Sequence, residues 1–252
     1  SPADLANSKY RGYLMENPIK GHTVESFNEE MQREHKTVLQ MGALVRSQIR
    51  AAAKTLQDED PAAARQVIDD DAKVNELDNQ VAAHVEQILA RRTPVASDLR
   101  EVLTVSKIAT DLERCGDEAG RLAKLTLHFF ENPDLSPNFQ LLKEVSTVAS
   151  FVEMMLQESL DAFDARDTYG ACEVIRKAEE LDGEFRSALR RLTTFVLEDA
   201  RTIGQFVDVV LAVRALERIG GHAKNIGGYV IYLVTGRDVR HETLDEILRD
   251  LT

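Results

Sequence analysis

Tryptophan is absent from this 252-residue chain, and there are only two cysteines and six prolines. With 13 glycines, 43% hydrophobic and 29% charged residues, the composition excludes a collagenous, low-complexity or disordered chain. Cys115 and Cys172 have no CxxC spacing and are too few for a disulfide framework. They read as free thiols in a reducing compartment, which points to the cytoplasm. No apolar run reaches the roughly 18 to 20 residues that a membrane span requires. Even the greasiest segment, Phe206 to Val213, is interrupted by Asp208. Positive charge is also short: 31 Lys plus Arg face 43 Asp plus Glu, a net charge of −12. Such a chain repels phosphate backbones and anionic leaflets, so neither nucleic acid nor a direct membrane span is expected.

What is present is helical periodicity. Residues 1–23 are expected to form an extension outside the fold, because Pro2, Gly12 and Pro18 interrupt any helix and no uninterrupted apolar stretch resembles a secretory leader. Ser26 with Glu29 predicts a capping box ahead of Met31, Val38, Met41, Val45, Ile49 and Leu56, giving a first helix to about Gln57. Asp60 followed by Pro61 predicts an N-cap with proline at N1 and a second helix to about Arg92. Ser97 is expected to cap a third, ending near Phe130. Glu131 to Pro137 holds two prolines and is the strongest punctuation in the chain. Ser136 with Pro137 restarts the pattern, Asp167 caps a fifth helix, and a sixth begins around Thr202 with Gly236 as its C-cap. The charged tail after Arg240 has room for a short helix. No alternating strand pattern or hairpin dipeptide occurs.

The two halves are related. Asp111 to Ala119 and Ala215 to Ala223 share Leu-Glu-Arg-x-Gly and a following Ala at an offset of 104. Val67-Ile68 pairs with Val174-Ile175 at an offset of 107, whereas Glu76-Leu-Asp78 with Glu180-Leu-Asp182 keeps 104, so the register of the second helices stays open. The expected fold is all-α: six long helices forming two tandem three-helix bundles, residues 24–131 and 137–240, related as internal repeats.

Two three-helix repeats, each carrying Leu-Glu-Arg-x-Gly in its third helix, with Asp71-Ala-Lys-Val-Asn75 in an acidic second helix, resemble the PhoU family over about residues 24–240. The resemblance implies a cytoplasmic accessory protein of phosphate-specific transport and a negative regulator of the phosphate-starvation response. It implies two partners, the ATPase subunit of a phosphate ABC transporter and a sensor histidine kinase, and a homodimer as the assembly. In that family, Glu-x-x-x-Asp motifs are associated with metal clusters on the bundle surface.

Read from the residues alone, Glu113 and Asp117 lie i,i+4 on one helix face, and Asp71 and Asn75 have the same spacing. Two such pairs on adjacent antiparallel helices would make an all-oxygen cluster for a divalent metal, without choosing among Mg, Mn, Ca, Fe and Zn. The second repeat keeps only Glu217 and Asp182, facing Gly221 and Ala178, so each pair has lost a ligand. The plainer alternative is that these acids are solvated or paired with Arg114, Arg121 and Lys124. The Asp69-Asp70-Asp71 run is likewise a solvated charge run in which only Asp71 shares the face of Asn75. The six histidines have no HxxxH or HExxH spacing and read as surface or satisfied residues. Cys115 sits on an apolar stripe and reads as a small core residue. Gly220, Ala223 and Gly227 form a small face for close helix packing rather than a phosphate loop. No nucleophilic constellation and no Glu-x-x-His pair is present, which argues against an enzyme. The alternative to a phosphate-signalling adaptor is a helical metal-binding protein with no such role. In the adaptor, a cation in repeat one would fix the angle between the second and third helices and tune the surface shown to partners.

Overall fold

The computed structural model describes residues 22–132, 135, 138–198 and 203–251. Its helices are α1 (His22–Gln57), α2 (Pro61–Arg92), α3 (Ser97–Phe130), α4 (Phe139–Ala165), α5 (Thr168–Glu198), α6 (Ile203–Thr235) and α7 (Leu244–Leu251). No strand occurs among the described residues. Residues 1–21 of the expected extension, Ser136-Pro137 and Thr202 lie outside them.

Local signals set most of the boundaries. Asp60 Oδ1 accepts from Ala63 N at 2.9 Å with Pro61 at N1, and Asp167 Oδ1 accepts from Tyr169 N at 3.0 Å ahead of α5. Asn138 caps α4 through Gln140 N at 3.0 Å. Gly236 adopts φ +78°, the left-handed geometry of a helix stop. Two expected caps are corrected. Ser26 and Glu29 lie inside α1, which starts at His22, because nothing from His22 to Glu25 breaks a helix. The N-cap of α3 is Ala96 at φ 51°, not Ser97, whose hydroxyl turns instead to Asp98 Oδ1. A capping side chain requires its own residue outside the helix, and here that residue carries only a methyl group.

Packing follows the apolar stripes. α1, α2 and α3 pack on one another, as do α4, α5 and α6, which gives the two three-helix bundles. The bundles then join like to like, α1 on α4 and α3 on α6, the arrangement of an internal pseudo-twofold. The cross-section is therefore two layers, α1 beside α4 and α3 beside α6, with α2 and α5 on the flanks. Ion pairs fix the register between the halves: Arg46 meets Glu153 at 2.6 Å across α1–α4, and Glu118 meets Arg218 across the antiparallel α3–α6 pair. One contiguous apolar core runs through both repeats, with Ile108, Leu112 and Leu122 of α3 and Leu216, Ile219 and Ile226 of α6 fully buried. Each such side chain contributes on the order of 1.5–3 kcal/mol of burial.

Glycine lets the layers close. A Cβ on Gly42 would lie 2.3 Å from Leu160 Cδ1, one on Gly220 2.1 Å from Leu181 Cδ2, and one on Gly227 3.0 Å from the Ala171 carbonyl oxygen. The small face expected around Gly220, Ala223 and Gly227 is thus where α5 seats on α6. These neighbours also decide the register of the second helices. Gly116 faces Val74 where Gly220 faces Leu181, so the 107 offset applies and Asp71 corresponds to Ala178, Asn75 to Asp182.

Candidate functional site

The four acidic-face residues of repeat one meet where α2 packs on α3. Asn75 Nδ2 donates to Asp71 Oδ2 at 3.2 Å across one helical turn. Burial raises the Asp71 carboxyl above its ordinary range, and the charge of Asp117 adds to it. Burial likewise raises Glu113, followed by the charges of Asp117, Asp78 and Asp71. Mutual repulsion on this scale places Asp71, Glu113 and Asp117 in one patch. Asp78, also raised by burial, belongs to the same patch. The sequence reading had used Asp78 only to test register, although it lies two turns after Asp71 on the same helix.

A second buried element lies beneath this patch. Gly116 leaves a space in which a Cβ would sit 2.8 Å from Asp71 Oδ1 and 3.3 Å from Gln48 Oε1. Asp71 Oδ1 and Gln48 Oε1 are buried without a donor, although the Gln48 side chain does hydrogen-bond the Asp71 carboxylate and lowers its pKa, and Gln48 is only 6% exposed. A hard cation would bind both oxygens. Sequence reasoning missed Gln48, but a signal existed. Glu34, Gln48 and Thr55 are buried polar residues on the seven-residue period of Met41, positions where α1 otherwise carries apolar side chains.

Repeat two does not reproduce the patch. Val152 and Leu181 flank Gly220 where Gln48 and Val74 flank Gly116, so the space beneath is apolar. Glu217 is taken by Arg214 Nη1 at 2.7 Å, Arg214 also lies 4.5 Å over the Phe185 ring, and Asp182 is exposed. The repeat carries its own cation where repeat one gathers acids. Glu217 and Asp182 are therefore not joined into a counterpart of the first patch.

Among the described residues no group of three or more His, Cys, Asp or Glu side chains is gathered so that it could hold a metal ion. The donors of repeat one are of the chemical type a hard divalent cation takes, carboxylates with raised pKa values and buried oxygens on Asp71 and Gln48. The cleft beside Gln48, lined by Leu44, Ser47, Ala51 and Val67, holds about 90 Å³. Pockets for organic substrates run to roughly 300–1,000 Å³.

The remaining chemistry-bearing residues are engaged structurally. His35 pairs with Asp164, His84 with Glu34, His128 with Asp208 and His222 with Asp111, at 2.8 to 3.1 Å. Three of these four pairs cross between the repeats. Cys115 is fully buried and burial pushes its thiol well up, while Cys172 is raised to about 11, so both are inert free thiols. The α3–α6 contact is a polar seam within an apolar core. Glu118 accepts from Arg218 Nε and Nη2 at 2.7 and 2.8 Å and from Arg121 Nη1 at 2.6 Å. Burial and the adjacent Asp111 push the Tyr229 hydroxyl up to about 12, and Lys107 sits 5.5 and 5.6 Å over the Tyr229 and Tyr232 rings.

Comparison with known proteins accounts for both repeats. A profile of the PhoU domain matches residues 38–126 and 145–230. The chain is 41% identical over 220 residues to the phosphate-specific transport system accessory protein PhoU homolog of Pseudomonas aeruginosa, covering 87% of this chain and 90% of that one. It is 32% identical over 229 residues to the phosphate-specific transport system accessory protein PhoU of Escherichia coli K12, covering 91% and 93%. The crystal structure of PhoU from Pseudomonas aeruginosa superposes with a TM-score of 0.78 at 40% identity over 84% of this chain and 100% of that one. The phosphate transport system regulatory protein PhoU from Streptococcus pneumoniae shares the fold, with a TM-score of 0.75 at 24% identity over 84% and 99% of the two chains.

Proposed function

Because the chain belongs to the PhoU family, we propose that it is a cytoplasmic negative regulator of the phosphate-starvation response and of phosphate uptake. In this reading it acts as an adaptor between the ATPase subunit of a phosphate ABC transporter and a sensor histidine kinase, and not as an enzyme. The observation that carries the reading is the match of both repeats, and of about nine-tenths of each relative's length, to phosphate-specific transport accessory proteins. No helix among the described residues is long and apolar enough to cross a membrane, so any membrane partner is met through a face of the bundle. Six rigid helices supply such faces without a nucleophile, and the proposed assembly is a homodimer. The test is size-exclusion chromatography of the purified chain with the purified ATPase subunit and with the kinase's cytoplasmic region. Co-elution with each is expected, and separate elution from both would contradict the adaptor role.

We further propose that Asp71, Asn75, Glu113 and Asp117 hold a divalent cation in repeat one, with Gln48 beneath them. A bound cation would neutralise acids that repel one another and fix α2 against α3. Calorimetric titration with Mn²⁺ or Mg²⁺ tests this: Glu113→Ala with Asp117→Ala should abolish the heat of binding. Unchanged metal load in that variant would remove the proposal. Glu217 and Asp182 are expected to contribute no second site.

A further inference from the structure

We propose that the groove between α3 and α6 is the docking surface for an acidic amphipathic helix of a partner protein. The proposal rests on the adaptor reading and adds to it which face is used and what chemistry that face recognises. Along the outer side of α6 the exposed residues step by three or four: Ile203, Val207 and Leu211, then Arg214, Arg218, Gly221 and Lys224. The first three are 59%, 50% and 61% exposed, an apolar row that no other part of the described chain covers. No exposed residue of α6 is a carboxylate, in a chain whose net charge is −12.

The neighbouring helix continues the same charge. The pairs Glu118–Arg218 and His128–Asp208 set α3 antiparallel to α6, so Arg114 and Arg121 line the other wall of the groove, while Lys124 lies on the side of α3 towards Asp71. Arg121 and Arg218 share the single buried carboxylate of Glu118, and Arg214 holds the half-buried Glu217, so the groups exposed along the groove are the cations. Lys224 enters no ion pair among the described residues, Arg114 acts on the neighbouring Glu113 carboxyl, and the exposed acid on this stretch of α3 is Asp117.

Gly221 adds a separate observation. A Cβ there would meet nothing within 4 Å, so no neighbour in this chain requires glycine. A helix-interior glycine costs on the order of 0.5–1 kcal/mol relative to alanine. Here it opens a flat notch between Arg218 and Lys224 where another backbone can approach closely.

An amphipathic helix is the occupant these features fit. From Ile203 to Lys224 the stripe runs about 32 Å, the length of a helix of about 22 residues. Its apolar residues would seat on the Ile203–Leu211 row and its carboxylates would reach the arginines and Lys224 beyond. A bilayer fits less well, because a helix lying in a membrane is apolar along its whole length, whereas this row ends after Leu211.

The probes are two fluorescent helical peptides of about 22 residues. One carries leucines then glutamates at helical spacing, and its twin has lysine at every glutamate. Anisotropy with the full chain at about 0.1 M salt should show the acidic peptide binding at least about tenfold more tightly than its twin. Val207→Glu and Lys224→Glu should each lower that affinity severalfold while leaving thermal unfolding unchanged, since both side chains are exposed. Equal affinity for the two peptides, or no binding of either, would overturn the proposal. So would capture of phosphatidylglycerol-containing vesicles through the same residues without a peptide preference. Co-elution with the ATPase subunit or kinase that survives both substitutions would refute the groove alone. Absence of co-elution by the unsubstituted chain would refute the adaptor reading itself.

Discussion

Glu118→Ala should loosen the joint between the repeats, and its cost can be worked from the contacts it removes. The side chain is 8% exposed and accepts three charge-assisted hydrogen bonds, two from Arg218 across the seam and one from Arg121 on its own helix. Breaking a fully buried ion pair costs roughly 3–5 kcal/mol, chiefly because the surviving charge is stranded. Here the survivors are not stranded: Arg218 and Arg121 are 50% and 56% exposed and would rehydrate. The carboxylate's own desolvation cost also disappears. The net expectation is about 2 kcal/mol, between a typical charged hydrogen bond and a buried pair. Equilibrium urea unfolding followed by circular dichroism reads this as a shift in midpoint at unchanged slope. Arg218→Ala should cost less, since Glu118 keeps Arg121, and the double variant should fall short of the sum. Arg176, on the surface with Glu173 and Glu180, is the control whose removal should leave the midpoint in place. A Glu118→Ala loss below about 0.5 kcal/mol would refute the view that this seam holds the repeats together.

Three further outcomes follow from the same contacts. Asp71 and Glu113 have raised carboxyl pKa values, so each destabilises the fold when ionised: stability is lost as pH rises through the folded-state value, and the penalty vanishes below the ordinary carboxylate range. Asp71→Asn with Glu113→Gln should therefore raise the melting temperature at pH 7 without metal, with the gain fading towards about pH 4; a gain that grows on acidification would contradict this. Gly227→Ala, whose Cβ would press on a backbone carbonyl, should destabilise by about 1–3 kcal/mol in urea unfolding. Gly183→Ala, which meets nothing within 4 Å, should stabilise by about 0.5–1 kcal/mol, and equal effects of the two would contradict the packing described. Saturating Mn²⁺ should raise the melting temperature of the unsubstituted chain and leave that of Glu113→Ala with Asp117→Ala unchanged; an equal rise in both would place any bound metal elsewhere.

The helices and their twofold repetition were legible because they are local. Apolar periods, Asp60-Pro61, Asp167 and Gly236 act within a turn or two of the chain, and the structure keeps them. The pairing of Glu113 with Asp117 was legible for the same reason. What joins them to Asp78 and Gln48 was not, because it depends on how α1 and α2 lie against Gly116. The register of α2 against α5 stayed open in the sequence for the same cause, and only the neighbours of Gly116 and Gly220 decide it. Nothing in the sequence sets Glu118 apart from the other acids of its helix. Its meaning came from Arg218, 100 residues away. Where a cap was misread, at Ser97, the backbone of Ala96 rather than the identity of the serine decided the outcome.

The central claim is a regulatory role in phosphate supply, and the most direct measurement is a phosphate-starvation reporter such as alkaline phosphatase in cells lacking this gene and grown in abundant phosphate. The account predicts high reporter output that the cloned gene silences, with Val207→Glu and Lys224→Glu failing to silence it at normal abundance. A reporter that stays silent without the gene and any paralogue would contradict it.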